Sequence, residues 1–285
     1  MLSPFLPRRA TLGCLTAALG LVFAGAVAWA QDEKLPSGEK IMEKTIEGRG
    51  GREAFEKLKT RILKGTIEVV GGGGPREGSM TRYEAAPNKR YTLVELAPDA
   101  KTELGTDGDV CWELSSSQGP RIVEGQEKAQ REREGTFNAL LYWRELYEKV
   151  ECVGKEQVDD RPCYKVVLTP KVGNPETVYF SSKNGFPIKS EMVRKTAQGD
   201  LQIQERLEDY REVDGVQLPF RIIRQVTSMG QLQNMTQTIT YTWKSIEHNV
   251  DLPADRFDLP QDVKDLQANP GKKPAKPGAA KKPPG

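Results

Sequence analysis

The sequence predicts a mainly β fold (α+β): about eleven antiparallel strands in one curved sheet, a half-open barrel with helices covering its concave side. Apolar residues recur at every second position in short runs, which puts one set of side chains on each face of a pleated strand. Turn dipeptides punctuate those runs, among them Pro87-Asn88, Asp107-Gly108, Asn184-Gly185 and Asp214-Gly215, so hairpins rather than βαβ units join them. The longest alternating stretch runs from Val216 to Trp243, with Val216, Leu218, Phe220, Ile222 and Val226 against Gln217, Arg221, Gln225 and Thr227. It resumes as Met235, Ile239, Tyr241 and Trp243 against a set of threonines, and reads as the last stretch of the curved wall.

Residues 1–30 read as a secretory signal peptide. Arg8 and Arg9 precede an apolar run from Leu12 to Ala28, and Ala28-Trp29-Ala30 offers a cleavage site before Gln31. Cys14 opens the apolar run instead of closing it, which argues against lipidation there, and Pro7 and Thr11 fit twin-arginine export poorly. The expected product is an exported, periplasmic, soluble chain, since no later stretch approaches the apolar length of a membrane span.

The expected folded domain is 31–265, followed by a Lys/Pro/Ala-rich tail, 266–285, too poor in apolar residues to fold. The signal carries +2 and residues 263–285 carry +5, which leaves −5 on residues 31–262 of a chain whose total is +2. A mildly acidic body argues against nucleic acid as partner. Solubilising the protein is the expected role of the basic tail, with anionic headgroups or cell-wall polymer as a second use.

Taken in order, Ser37 caps a first helix with Ile41, Met42, Thr45 and Ile46 on one face, and Arg52 to Leu58 forms a second. Strands follow from Arg61 to the glycines at Gly71–Gly74, then Ser79–Ala85, Lys89–Leu96, Thr102–Thr106 and Val110–Leu114. The four glycines lack the Lys-Ser/Thr and the helix that a phosphate cradle needs, so they read as a hairpin loop. Gly125 to Val150 is predicted helical, charged at first and weakened at Gly135. Beyond it Phe137, Leu140, Leu141 and Tyr147 share a face that serves either as core or as a lid. Strands return at Val150–Val158, Cys163–Thr169, Thr177–Phe180, Pro187–Lys195 and around Leu201–Leu207.

Three cysteines remain after export. A two-residue turn at Asp159-Asp160 pairs Cys163 with Glu156 and Cys152 with Val167, beyond bridging distance, so free thiols are expected over a Cys152–Cys163 disulfide. His248, the one histidine, reads as a surface residue. No C-x-x-C, H-x-x-x-H or G-x-S-x-G spacing occurs, and Glu132-Arg133-Glu134 and Glu205 to Glu212 read as solvated charge. No metal, no cofactor and no enzymatic activity are expected; a hydrolase would need a carboxylate pair on the hollow's wall.

Pro87-Asn88 followed by Asp107-Gly108-Asp109-Val110-Cys111-Trp112, and the closing Phe257-Asp258-Leu259-Pro260-Gln261-Asp262-Val263, resemble motifs of the periplasmic lipoprotein carriers, the LolA/LolB-like half-barrels, over residues 37–265. The resemblance implies a hydrophobic hollow for acyl chains of a lipid or lipoprotein, envelope membrane proteins as partners, and a monomer. It departs where those carriers often have an arginine before Pro-Asn; Ala86 stands there. Trp112, Phe137, Leu141, Leu218, Phe220, Ile222, Ile239, Tyr241 and Trp243 are the expected lining of such a hollow. A second reading stays open, in which the same residues fill an ordinary core and the chain is a structural or interaction module of the envelope.

Overall fold

The computed structural model describes residues 34–196, 199–229 and 234–269. The expected signal peptide and most of the expected tail lie outside the described residues. Among those described, thirteen strands form one antiparallel sheet that is curved and open, slightly more than the eleven or so expected.

The strands are β1 (Thr60–Gly71), β2 (Gly74–Ala85), β3 (Lys89–Leu96), β4 (Ala100–Thr106), β5 (Cys111–Ser115), β6 (Gly119–Val123), β7 (Tyr147–Val158), β8 (Arg161–Pro170), β9 (Glu176–Ser181), β10 (Pro187–Thr196), β11 (Gly199–Val213), β12 (Val216–Ser228) and β13 (Met235–His248). The spatial order is β6-β5-β4-β3-β2-β1-β13-β12-β11-β10-β9-β8-β7. Every neighbour is a sequence neighbour except one pair, β1 with β13. The β12–β13 hairpin therefore lies in the middle of the wall and not at its end, because the N-terminal strand takes the free edge of β13. The glycine stretch is indeed the β1–β2 hairpin, with Gly71 facing Gly74.

β6 had no strong signal in the sequence. It is short, contains Pro120, and alternates only weakly. It is the outermost strand on one side, as β7 is on the other.

The chain between these two edges is broken. Helix α3 (Gly125–Gly135) ends where glycine weakens it, and Asn138 adopts a left-handed backbone at φ 52°. A 3-10 turn (Ala139–Tyr142) and the short α4 (Trp143–Leu146) follow, and Tyr147 already belongs to β7. The expectation of helix to Val150 is thus corrected. α3 packs against both β5 and β10, strands on opposite halves of the sheet, so the connection straps the hollow.

Two helices at the start pack on the same side. α1 (Gly38–Gly48) is capped by Ser37, whose side chain accepts from the Lys40 amide, and it buries Ile41, Met42, Thr45 and Ile46. The Thr45 hydroxyl reaches the Gly185 carbonyl at 2.7 Å, tying α1 to the β9–β10 turn. α2 (Arg52–Glu56) adds Phe55. These side chains merge with Leu63, Ile67, Val178, Phe180, Val216 and Leu218 into one core. At the other end α5 (Gln261–Ala268) docks on β6 through Val263, which is fully buried, so the folded chain runs past the expected limit at residue 265.

Two of the bulges in the sheet decide where particular side chains face. The β7–β8 register pairs Glu156 with Cys163 as expected, but Cys152 faces Val166 and not Val167, because Val153 bulges out between Cys152 and Gly154. Cys111, Cys152 and Cys163 are all free thiols. In β13, Trp243 faces Gly65 while Ser245 faces Lys64, leaving Lys244 unopposed. The bulge lets Trp243 and Ile246 both point into the core. It also brings backbones close: a Cβ on Gly65 would lie 2.2 Å from the Thr242 carbonyl oxygen. Gly65→Ala is expected to destabilise the protein by about 2 kcal/mol or more, read as a lower denaturant midpoint with an unchanged m-value.

Candidate ligand cavity

Side-chain phase decides what faces the hollow. On β12 the inward set is Leu218, Phe220, Ile222 and Arg224; opposite them on β13, Tyr241 faces Ile222 and Ile239 faces Arg224. On β2 and β3 the cross-strand pairs are Met80 with Val94, Arg82 with Thr92, and Glu84 with Arg90. β10 contributes Met192 and Arg194, and β11 contributes Glu205 opposite Arg224. α3 lies over these with Arg131 and Glu134. Between strap and sheet is a cavity of about 350 Å³.

The nine residues expected to line a hollow separate into three groups. Ile222, Tyr241 and Trp243 border this cavity, with Leu104 beside them. Phe137, Leu141, Leu218 and Phe220 are buried in the continuous core, which Ile239 flanks half-buried. Trp112 lies on the other face of the sheet. Cys111, next to it on β5, borders the cavity, so strand alternation sends the indole outward. There it packs 6.1 Å from the Tyr91 ring and lies over Gly105, where an added Cβ would be 3.0 Å from the ring. Arg256 of the C-terminal segment covers Tyr83 and Tyr91 beside it.

The wall also carries charge that sequence reading assigned to solvent. Glu134 pairs with Arg194, and its main-chain carbonyl accepts from Arg90. Glu205 pairs with Arg224, whose guanidinium also lies 5.6 Å from the Tyr241 ring. Glu84, buried, accepts from Arg61 at 3.0 Å and pairs with Arg90 at 3.1 Å. Burial pushes the Glu84 carboxyl up, but Arg90, Arg61 and Arg82 outweigh it and hold it at about 2. Burial likewise opposes ionisation of Glu134, and Arg194 with Arg224 wins, keeping it below the usual range.

Arg82 is different. Among the described residues no carboxylate lies within ion-pair distance of it; Nε donates to Thr92 Oγ1 at 3.3 Å, and the group stacks 5.5 Å from the Trp243 ring. Burial first, then repulsion from Arg90, lowers it to about 10. The Nε atoms of Arg90 and Arg194 are buried without a hydrogen-bond partner.

His248 is not a surface residue: its side chain is 1% exposed. Nε2 accepts from Arg61 Nε at 2.9 Å, which fixes the proton on Nδ1, facing Asp214 at 2.9 Å. Burial, followed by Arg61, lowers its pKa. The β13 bulge put it inside, by restoring the inward phase at Ile246 and His248. Among the described residues no group of three or more His, Cys, Asp and Glu side chains is placed to hold a metal.

A legible signal for the missed charges does exist. Glu205 occupies the apolar phase of Ile203 and Leu207, Arg224 that of Ile222 and Val226, and Arg82 that of Met80. Charge on the apolar phase of a strand marks either a bulge or an inward-facing ion.

No family model matches the chain, and no curated protein does. Solved structures do. A LolA superfamily protein from Nitrosomonas europaea superposes with TM-score 0.53 at 16% identity, covering 79% of this chain and 99% of that one. A DUF1329 family protein from Desulfovibrio piger gives 0.52 at 12%, covering 77% and 96%. An outer membrane lipoprotein-sorting protein domain from Vibrio parahaemolyticus gives 0.52 at 11%, covering 78% and 97%. The fold is that of the LolA/LolB-like half-barrels. Among the described residues no helix is long and apolar enough to cross a membrane.

Glu84→Gln is expected to cost about 3–5 kcal/mol, because it strands Arg61 and Arg90 without their buried counter-charge; chemical denaturation measures it. The pH dependence follows from sign. Glu84 titrates lower when folded, so its contribution is complete above about 4.5 and is lost as pH falls towards about 2. His248 is also lowered, so the unfolded chain takes the proton first and stability declines as pH falls below about 6.5. His248→Gln should flatten the thermal-stability profile between about pH 7.5 and 5.5, while leaving the steeper acid limb in place.

Proposed function

We propose that the chain is a non-enzymatic binding protein of the cell envelope, exported to the periplasm, that carries or senses an amphiphile by holding acyl chain in the half-barrel hollow. The observation that supports this most is the cavity itself, on the strapped face of a LolA-like sheet, with an apolar floor of Ile222, Tyr241, Trp243 and Leu104. Each buried methylene contributes about 0.8 kcal/mol, enough for useful affinity without chemistry. One of the superposing structures is described as a lipoprotein-sorting domain, which accords with a lipid or lipoprotein as cargo. Envelope membrane proteins are the corresponding partners and a monomer the corresponding state.

A second reading has its own observation. Phe137, Leu141, Leu218 and Phe220 are each at most 6% exposed and pack within one core with α1. Cargo reaching them has to displace helices, so these four support a self-filled interior and an interaction module. The two readings place the ligand contact on different residues.

Native mass spectrometry and lipid extraction of the protein from its own periplasm, together with uptake of a fluorescent fatty acid, separates them. The expected result is co-purifying lipid. Ile222→Asp, at a half-buried cavity position, should reduce uptake at least tenfold with a small change in melting temperature, whereas Phe220→Asp should unfold the protein. Absence of both lipid and fatty-acid binding sinks the carrier reading.

A further inference from the structure

The inward-facing charges do not balance. Five linked arginines, Arg61, Arg82, Arg90, Arg194 and Arg224, face three carboxylates, Glu84, Glu134 and Glu205. Two positive charges are left over. The remaining groups nearby do not absorb them. Arg131 and Arg121 are matched by Glu113 and Glu127, Glu176 is held by the Tyr147 hydroxyl and acted on by Arg133, and the exposed Asp214 reaches Arg61 only through His248.

The excess is localised at the cavity. Arg82 has no carboxylate partner among the described residues, and Arg90 and Arg194 each keep a buried Nε–H that donates to nothing. Arg82 and Arg90 stand on adjacent strands β2 and β3, with Arg194 on β10, and all three border the same cavity as Arg224. Charged groups left unpaired inside a fold are rare, and guanidinium groups gathered around one open space, in excess of the carboxylates there, point to an anionic guest. Solvent still reaches the space, since Arg224 keeps 28% of its side chain exposed.

We propose that this cavity binds a phosphate group, held between Arg82, Arg90 and Arg194, with the apolar floor beside it taking the organic part of the molecule. A phosphate monoester carries between one and two negative charges at neutral pH and accepts several hydrogen bonds, about matching the two unneutralised charges. A carboxylate would neutralise only one. The guanidinium fork suits phosphate oxygens, and stacking on Trp243 orients Arg82 for them. The shared chemistry has two sources, a phosphorylated lipid headgroup or free inorganic phosphate. The lipid source rests on the carrier reading above; the phosphate site itself does not.

Calorimetry and thermal shift on the mature full-length protein distinguish these, using inorganic phosphate against chloride at equal ionic strength, 1-oleoyl lysophosphatidate, and uncharged monooleoylglycerol. Phosphate and lysophosphatidate are expected to bind and to raise the melting temperature. Arg82→Gln should weaken both by about tenfold or more, the usual worth of a charge-assisted hydrogen bond, and should leave monooleoylglycerol unaffected. Without ligand, Arg82→Gln should melt at the same temperature or higher, because it removes an uncompensated inward cation; that reading separates lost binding from lost folding. Binding of phosphate with neither lipid keeps the anion site and ends the carrier reading. Equal binding of both lipids, unchanged by Arg82→Gln and without phosphate binding, overturns the anion site and keeps the carrier. No binding of any of the three overturns both.

Discussion

The pairing of β1 with β13 is the contact on which the rest of the molecule depends. Ten positions, from Arg61 opposite His248 to Val70 opposite Thr238, join the first strand to the last. All other strand neighbours come from local hairpins, which are cheap to close; this one closes the longest loop in the sheet. Once it forms, the two edges can only be β6 and β7, and the chain between them has to travel from one side of the sheet to the other. The strap of α3, the 3-10 turn and α4 is that path. A cavity under the strap is therefore a consequence of topology before any side chain is considered.

Ionic pairing inside a half-barrel is an expensive way to fill space, since desolvation offsets most of the attraction between buried charges. Glu134 from the strap meets Arg194 and receives Arg90 on its carbonyl, while Glu205 meets Arg224 across β11 and β12. These pairs join three separate parts of the chain across one interior, where apolar residues of similar size would pack at least as stably. Such contacts make sense as positioning: they hold guanidinium groups at fixed places around open space, and they register the strap on the sheet. The core beneath α1 and α2 does the ordinary work of stability, with Ile46 and Val166 wholly buried.

Much of this was legible in the residues. The alternation located most of the strands, and Ser37 set the start of α1. The Asp159-Asp160 turn fixed the β7–β8 register near the turn, so Glu156 faces Cys163. What escaped had identifiable causes. β6 is short and contains a proline, α5 docks through little more than Val263, and the bulges at Val153 and Lys244 shift phase by one residue without any local signature. The Lys244 bulge also carries His248, expected at the surface as a lone histidine, to the inward phase. Trp112 is buried on the outer face, beside Tyr91, where Arg256 of the C-terminal segment covers Tyr83 and Tyr91; no local pattern tells that face from the hollow.

The class of fold, the hairpin order and the apolar set follow from the residues alone, because period-two patterning and turn chemistry act over neighbouring residues. Which strands meet at the centre, which aromatics share a face, and that Arg82, Arg90 and Arg194 border one space emerge with the folded chain. Convergence depends on the β1–β13 closure and on sheet curvature, which bring residues more than a hundred positions apart to opposite walls of one cavity. No local pattern encodes that distance.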